Sequence, residues 1–123
     1  MCHKTVSLIA RHLETHGIPT VVMGCARDIV EHAGVPRFWW SNFPLGHSAG
    51  KPFDEASQRA TLSGALQLFE AAVQAPTTAV SPQRWAEDDA WQTDFMDVSR
   101  LSADAVEKLK QEHENVRAMK DVR

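Results

Sequence analysis

Three groups of side chains in this 123-residue chain have types and spacings that could do chemistry. The first is Cys2-His3-Lys4 at the start of a helical pattern. The positive end of a helix dipole, with His3 and Lys4 beside it, is a setting that favours a nucleophilic or redox thiolate at Cys2. The plain alternative is an incidental cysteine at a frayed terminus. The second group is Gly24, Cys25 and Arg27, between a strand and a helix. Cys25 is either a second, resolving thiol or a small buried side chain. Arg27, in a first helical turn, either meets an anion or pairs with Asp28 or Glu31. The third group lies in the loop Asn42–Asp54: Asn42, His47, Ser48 and Lys51. His47 can act as acid or base, or simply bond to loop backbone. Lys51 can bind a carboxylate or phosphate, or stay solvated. Asn42 and Ser48 complete a candidate substrate-binding set with Arg27 and Lys51, around Cys2 and His47 as catalytic candidates. Six His invite a metal, but no Cys-x-x-Cys spacing exists and no metal is expected.

The elements that must position these groups follow from periodicity. His3–His16 reads as a helix with Val6, Ile9, Ala10 and Leu13 on one face, ended by Gly17 and Pro19. Ile18–Met23 reads as a buried strand, Ala26–Ala33 as a short helix and Val35–Trp40 as a second strand. Trp39 and Trp40 read as strand packing, one of them facing a crevice or a partner. Asp54–Ala75 reads as the longest helix, with Asp54 as N-cap. Its expected apolar stripe is Leu62, Ala65, Leu66, Phe69, Ala72 and Val73. Ala60, Ser63 and Gly64 suggest a close-packed neighbour. From Thr77 to Ser99 no period is visible, and Trp85, Trp91 and Phe95 read as anchors of an irregular arm. Ser102 is expected to cap a last helix to about Met119, with Val106, Leu109, His113 and Val116 as a thin apolar line.

The fold class expected is α/β: one domain, a small parallel sheet flanked by helices, with residues 77–123 forming an aromatic arm and C-terminal helix. Two strands make a poor core, so a further strand is expected upstream of the first helix. Strand-to-helix junctions of such a sheet share one edge, where ligands bind; this topology gathers all three groups at one crevice. Net charge of −3 without a dense basic cluster argues against nucleic acid as partner. No apolar run is long enough for a bilayer span. The N-terminus does not read as a signal peptide, and two cysteines make no disulfide framework, so a cytoplasmic location is expected. A homodimer is expected, since an arm or helix must cover the weak core.

Three motifs carry a family resemblance: Cys2-His3-x-Thr5; Gly17-Ile18-Pro19-Thr20-Val21; and Phe43-Pro44-Leu45-Gly46-His47 with Gly50-x-Pro52. The run Thr5–Asp54 resembles the C-terminal half of selenoprotein B of the glycine, sarcosine, betaine and D-proline reductases. That resemblance implies thiol- or selenol-dependent reductive cleavage of a C–N bond in a small amine or amino acid. It implies Cys2 as the retained redox thiol, with the selenol position falling before Met1, as in a reading frame restarted after a UGA codon. It also implies a partner reductase subunit. No bound cofactor is expected; an external thiol or thioredoxin-type protein would be the reductant. A second class is a non-catalytic subunit acting through dimerisation and partner binding. A third, an anion- or nucleotide-binding domain at Gly24–Arg27, is weaker because neither GxGxxG nor GxxxxGK is present.

Overall fold

The structure is a computed structural model that describes residues 2–94, 102–104, 106–108 and 110–111. Two compact units divide it, Met1–Glu87 and Asp88–Arg123. The first holds α1 (Cys2–Thr15), β1 (Val22–Gly24), α2 (Arg27–Ala33), β2 (Arg37–Trp40), α3 (Glu55–Ala71) and β3 (Thr77–Val80). The strands form one parallel sheet in the order β1-β2-β3. A small open α/β sheet with flanking helices is the class the sequence implies.

β3 is the main departure. The segment from Thr77 onward reads as an irregular arm, yet Thr77-Thr78-Ala79-Val80 pairs along all of β2, Arg37 opposite Thr77 and Trp40 opposite Val80. Backbone bonds close both ends: Thr77 N–H donates to Pro36 O at 2.9 Å, and Ser81 N–H to Trp40 O at 2.8 Å. Four residues are too few for a periodic signal, so the pairing partner defines the strand. β1 is likewise shorter than the run Ile18–Met23 suggests.

Successive strand residues point to opposite faces. Phe38 meets α1 and α2 in a core of Ala10, Val22, Val30 and Val35, with Trp40 packed against it. Trp39 points the other way and lays its ring on Gly64 of α3. This is the close packing that Ala60, Ser63 and Gly64 suggest, carried by Gly64. Below the sheet, Glu14 accepts from the Thr20 backbone at 2.5 Å, from its hydroxyl at 2.9 Å and from Arg37 at 2.8 Å. That knot ties the end of α1 to the entry of β1 and the start of β2.

The helices bury only part of the faces that periodicity assigns, Ala10 on α1 and Ala65 on α3. α1 buries Ser7 and Ala10 and leaves Val6, Leu8 and Ile9 exposed. α3 buries Ser57, Thr61, Ala65 and Leu68, while Leu62, Leu66, Phe69 and Val73 are exposed. Asp54 does cap α3, accepting from Ser57 N–H at 2.9 Å.

In the second unit, α4 (Trp91–Asp94) is a single turn. Helical backbone recurs at 103–104, 106–108 and 110–111, after Ser102, whose carbonyl accepts from Val106 N–H at 3.0 Å. Phe95, Leu109, His113, Val116 and Met119 lie outside the described residues.

Candidate functional site

α2 follows β1 on one face of the sheet, and α3 follows β2 on the other. Neighbouring loops that part to opposite faces leave a crevice at the carboxyl ends of their strands. The turn Cys25-Ala26 and the loop from Ser41 onward flank that point.

Cys25 is the centre of this edge. Its sulfur is half-buried and 3.8 Å from the Ser48 hydroxyl. Burial pushes the Cys25 thiol up, against the opposing pull of hydrogen bonding from Ser48 and from the backbone of Phe43 and His47. The thiol is thus held neutral at ordinary pH, with donors already placed for the thiolate once formed. Its carbonyl accepts from the Trp40 indole N–H at 2.9 Å. Its N–H donates to Nε2 of His3 at 3.3 Å, so that ring nitrogen serves as the acceptor. Gly24 makes room for this ring: a Cβ there would lie 3.0 Å from His3 Cδ2 and 3.2 Å from Phe38 Cε2.

The loop lies over this turn and is itself held down. Phe43 is buried and meets Trp85 edge-on at 5.4 Å; the His47 ring tilts against the same indole at 4.8 Å. Trp85 therefore anchors within the first unit, as its size suggests. Behind it, Gln83 accepts from the Ser57 hydroxyl at 2.5 Å and donates to Thr61 Oγ1 at 2.8 Å, fastening the segment after β3 to α3. Ser41, at the end of β2, is fully buried, and its hydroxyl has no hydrogen-bond partner among the described residues.

The sequence-derived site residues are distributed as follows. Cys25 and Ser48 meet. His47 contributes its backbone to the Cys25 surroundings and its ring to Trp85. Cys2 is exposed at the first position of α1, next in sequence to His3. Arg27 pairs with Glu31 at 3.0 Å and its guanidinium lies over the Trp40 ring at 5.1 Å, the pairing that its spacing allows. Asn42 is exposed. Lys51 lines a shallow cavity with Arg84, Trp85, Ala86 and Glu87. His3, singled out only as a positive neighbour of Cys2, and Trp40, read as strand packing with one of the two tryptophans facing a crevice, were given no direct part in the site. The contact of His3 with the Gly24-Cys25 turn joins residues more than twenty positions apart, so no local sequence signal marks it.

His12 of α1 and His16, just past its end, stand four residues apart, a ligand spacing that the no-metal expectation overlooked. Their rings lie 4.5 Å apart, but His16 Nδ1 is engaged with His12 O at 2.8 Å. Among the described residues no group of three His, Cys, Asp or Glu could hold a metal ion. No described helix is long and apolar enough to cross a membrane.

The Cys25 environment carries a pH prediction. In a Cys2→Ser background, the alkylation rate of Cys25 should rise with a midpoint above that of a free thiol; a midpoint at or below the free value would contradict the burial argument. The sign for stability follows. Folding favours the neutral thiol, so its contribution is complete below the unfolded thiol pKa and lost as pH climbs through the raised folded value. Denaturant midpoints should therefore fall on the alkaline side more for the native chain than for Cys25→Ala.

Fold and site together define an α/β domain with a half-buried thiol at the carboxyl edge of its sheet. A similar curated protein is the D-proline reductase subunit gamma of Acetoanaerobium sticklandii, 33% identical over 70 residues. The match covers 56% of this chain and only 29% of that subunit, so the relation to the reductase family is distant. No family profile matches the chain, and no solved structure does.

Proposed function

We propose that this chain is a subunit of a thiol-dependent reductase acting on a small amine or amino acid, with Cys2 and Cys25 as its working pair. Cys2 is the exposed, attacking thiol; Cys25 is the half-buried, resolving one. Two thiols closing to a disulfide release two electrons and two protons. Reductive cleavage of a C–N bond takes up both, leaving one new C–H and one new N–H. An external thiol or thioredoxin-type protein then reopens the disulfide in a cytoplasmic setting. Lys51 and Asn42 offer the substrate a cation and a hydrogen-bonding amide, and His47 assists with protons. The similarity to a D-proline reductase subunit supports both the chemistry and a partner subunit.

The observation that carries this reading is the bond from Cys25 N–H to His3 Nε2. It brings the start of α1, with Cys2 adjacent to His3, to the turn that holds Cys25. Mild oxidation with diamide followed by peptide mapping tests it. The expected product is an intramolecular Cys2–Cys25 disulfide that thioredoxin reopens. Recovery of both cysteines as separate free thiols would sink the dithiol mechanism.

A second reading, a non-catalytic subunit acting through dimerisation and partner binding, is favoured by the exposed apolar face of α3. Under that reading Cys2→Ser and Cys25→Ser leave assembly intact and there is no turnover to lose.

A further inference from the structure

We propose that the outward face of α3 is the contact surface for α3 of a second copy of this chain, in a two-fold antiparallel pair. Leu62 is 52% exposed, Leu66 55% and Phe69 40%, with Val73, 94% exposed, just past the helix end. The spacing Leu62–Leu66–Phe69 is four then three residues, the step of a helix–helix seam. A free helix would rotate to bury these side chains, but α3 cannot. Its opposite face is locked by Gln83 on Ser57 and Thr61, and by the Trp39 ring against Gly64. Leu62, Leu66 and Phe69 face out while Ser57, Thr61, Ala65 and Leu68 face in, so α3 carries a second apolar stripe that its own sheet does not cover.

Charge selects the occupant and its direction. The seam continues toward the N-terminus as Arg59 and Glu55, an exposed pair at 2.6 Å that exchanges partners at little cost. At the other end, beside Phe69, stands exposed Glu70. Antiparallel pairing centred on Leu66 sets Arg59 of each copy opposite Val73 of the other, about one helical turn from Glu70 and within reach of the long arginine side chain. Parallel pairing would set Arg59 against Arg59 and Glu70 against Glu70. The face is thus complementary to itself about a two-fold axis, the condition for an isologous dimer. Two such faces reach only the lower end of specific interfaces, on the order of 1,000 Å² in total, so a reversible dimer is expected. The proposal does not depend on the thiol chemistry.

Sedimentation equilibrium of the full chain, from about 1 to about 100 µM, tests it. The native chain should reach a dimer, and Leu66→Glu should remain monomeric with unchanged circular dichroism. Leu8→Glu, at an exposed position of α1, should still dimerise. Arg59→Glu should weaken the dimer by about tenfold at low salt, and adding Glu70→Arg should restore it. A native chain that stays monomeric throughout overturns the proposal. So does a dimer that Leu66→Glu leaves intact, since another surface would then hold it.

Discussion

Gly50→Ala is expected to cost about 3 kcal/mol or more of stability. Two penalties fall on the same carbon. Gly50 has φ of 114°, a conformation that side chains with a Cβ rarely adopt. A Cβ built there would also lie 2.7 Å from Gln58 Cα and 2.8 Å from Gln58 N. Those atoms are backbone of the first turns of α3 and cannot swing aside as a side chain could. The loop must lift instead. Gly50 closes the loop through its N–H to His47 O at 3.3 Å, and Ser48, the partner of Cys25, lies two residues before it. Urea unfolding should show the loss, and Cys25 in the variant should alkylate faster under native conditions. A loss below about 1 kcal/mol, with Cys25 as slow as in the native chain, would mean that this contact does not hold the loop.

Gly64→Ala is expected to destabilise by about 2 kcal/mol, although Ala is the better helix former by about 1 kcal/mol. A Cβ at position 64 would meet the Trp39 ring, with Cζ2 only 2.5 Å away. The indole lies between sheet and helix, and its buried N–H has no partner among the described residues, so packing alone holds it. Relieving the overlap requires turning the indole out of its contact with Gly64 or pushing α3 from β2. A double-mutant cycle isolates this contact: Trp39→Phe should recover part of the loss in Gly64→Ala while being destabilising alone. Simple additivity would show that the ring and Gly64 do not press on each other. A gain in stability from Gly64→Ala would overturn the packing itself.

Much of this architecture is legible in the residues. The order of helix, strand, helix, strand, loop and long helix follows from local periodicity and from Gly17, Gly34 and Asp54 as punctuation. Gly34 adopts the left-handed helix-ending conformation, and Asp54 caps by its carboxylate. Arg27 with Glu31 is a local four-residue pair, so it too could be foreseen. The candidate site was only half legible. Cys25 and Ser48 stood out by type, but nothing near His3 announces that its ring will sit on Gly24, because the two are linked through space alone.

What the sequence determined by itself are those properties that depend on neighbours a few residues away: helix extents, caps, turns, and the parallel α/β class. The tertiary structure alone decided three others. It made Thr77–Val80 a strand, because β2 supplies the hydrogen bonds that four residues cannot specify. It chose the inward face of α3, where Trp39 needs a glycine and Gln83 needs hydroxyls, so Ser57, Thr61 and Gly64 share that face with Ala65 and Leu68 while Leu62 and Leu66 stay outside. It also set the Cys25 thiol under a loop, where burial, a property of the assembled fold, outweighs the donors that surround it.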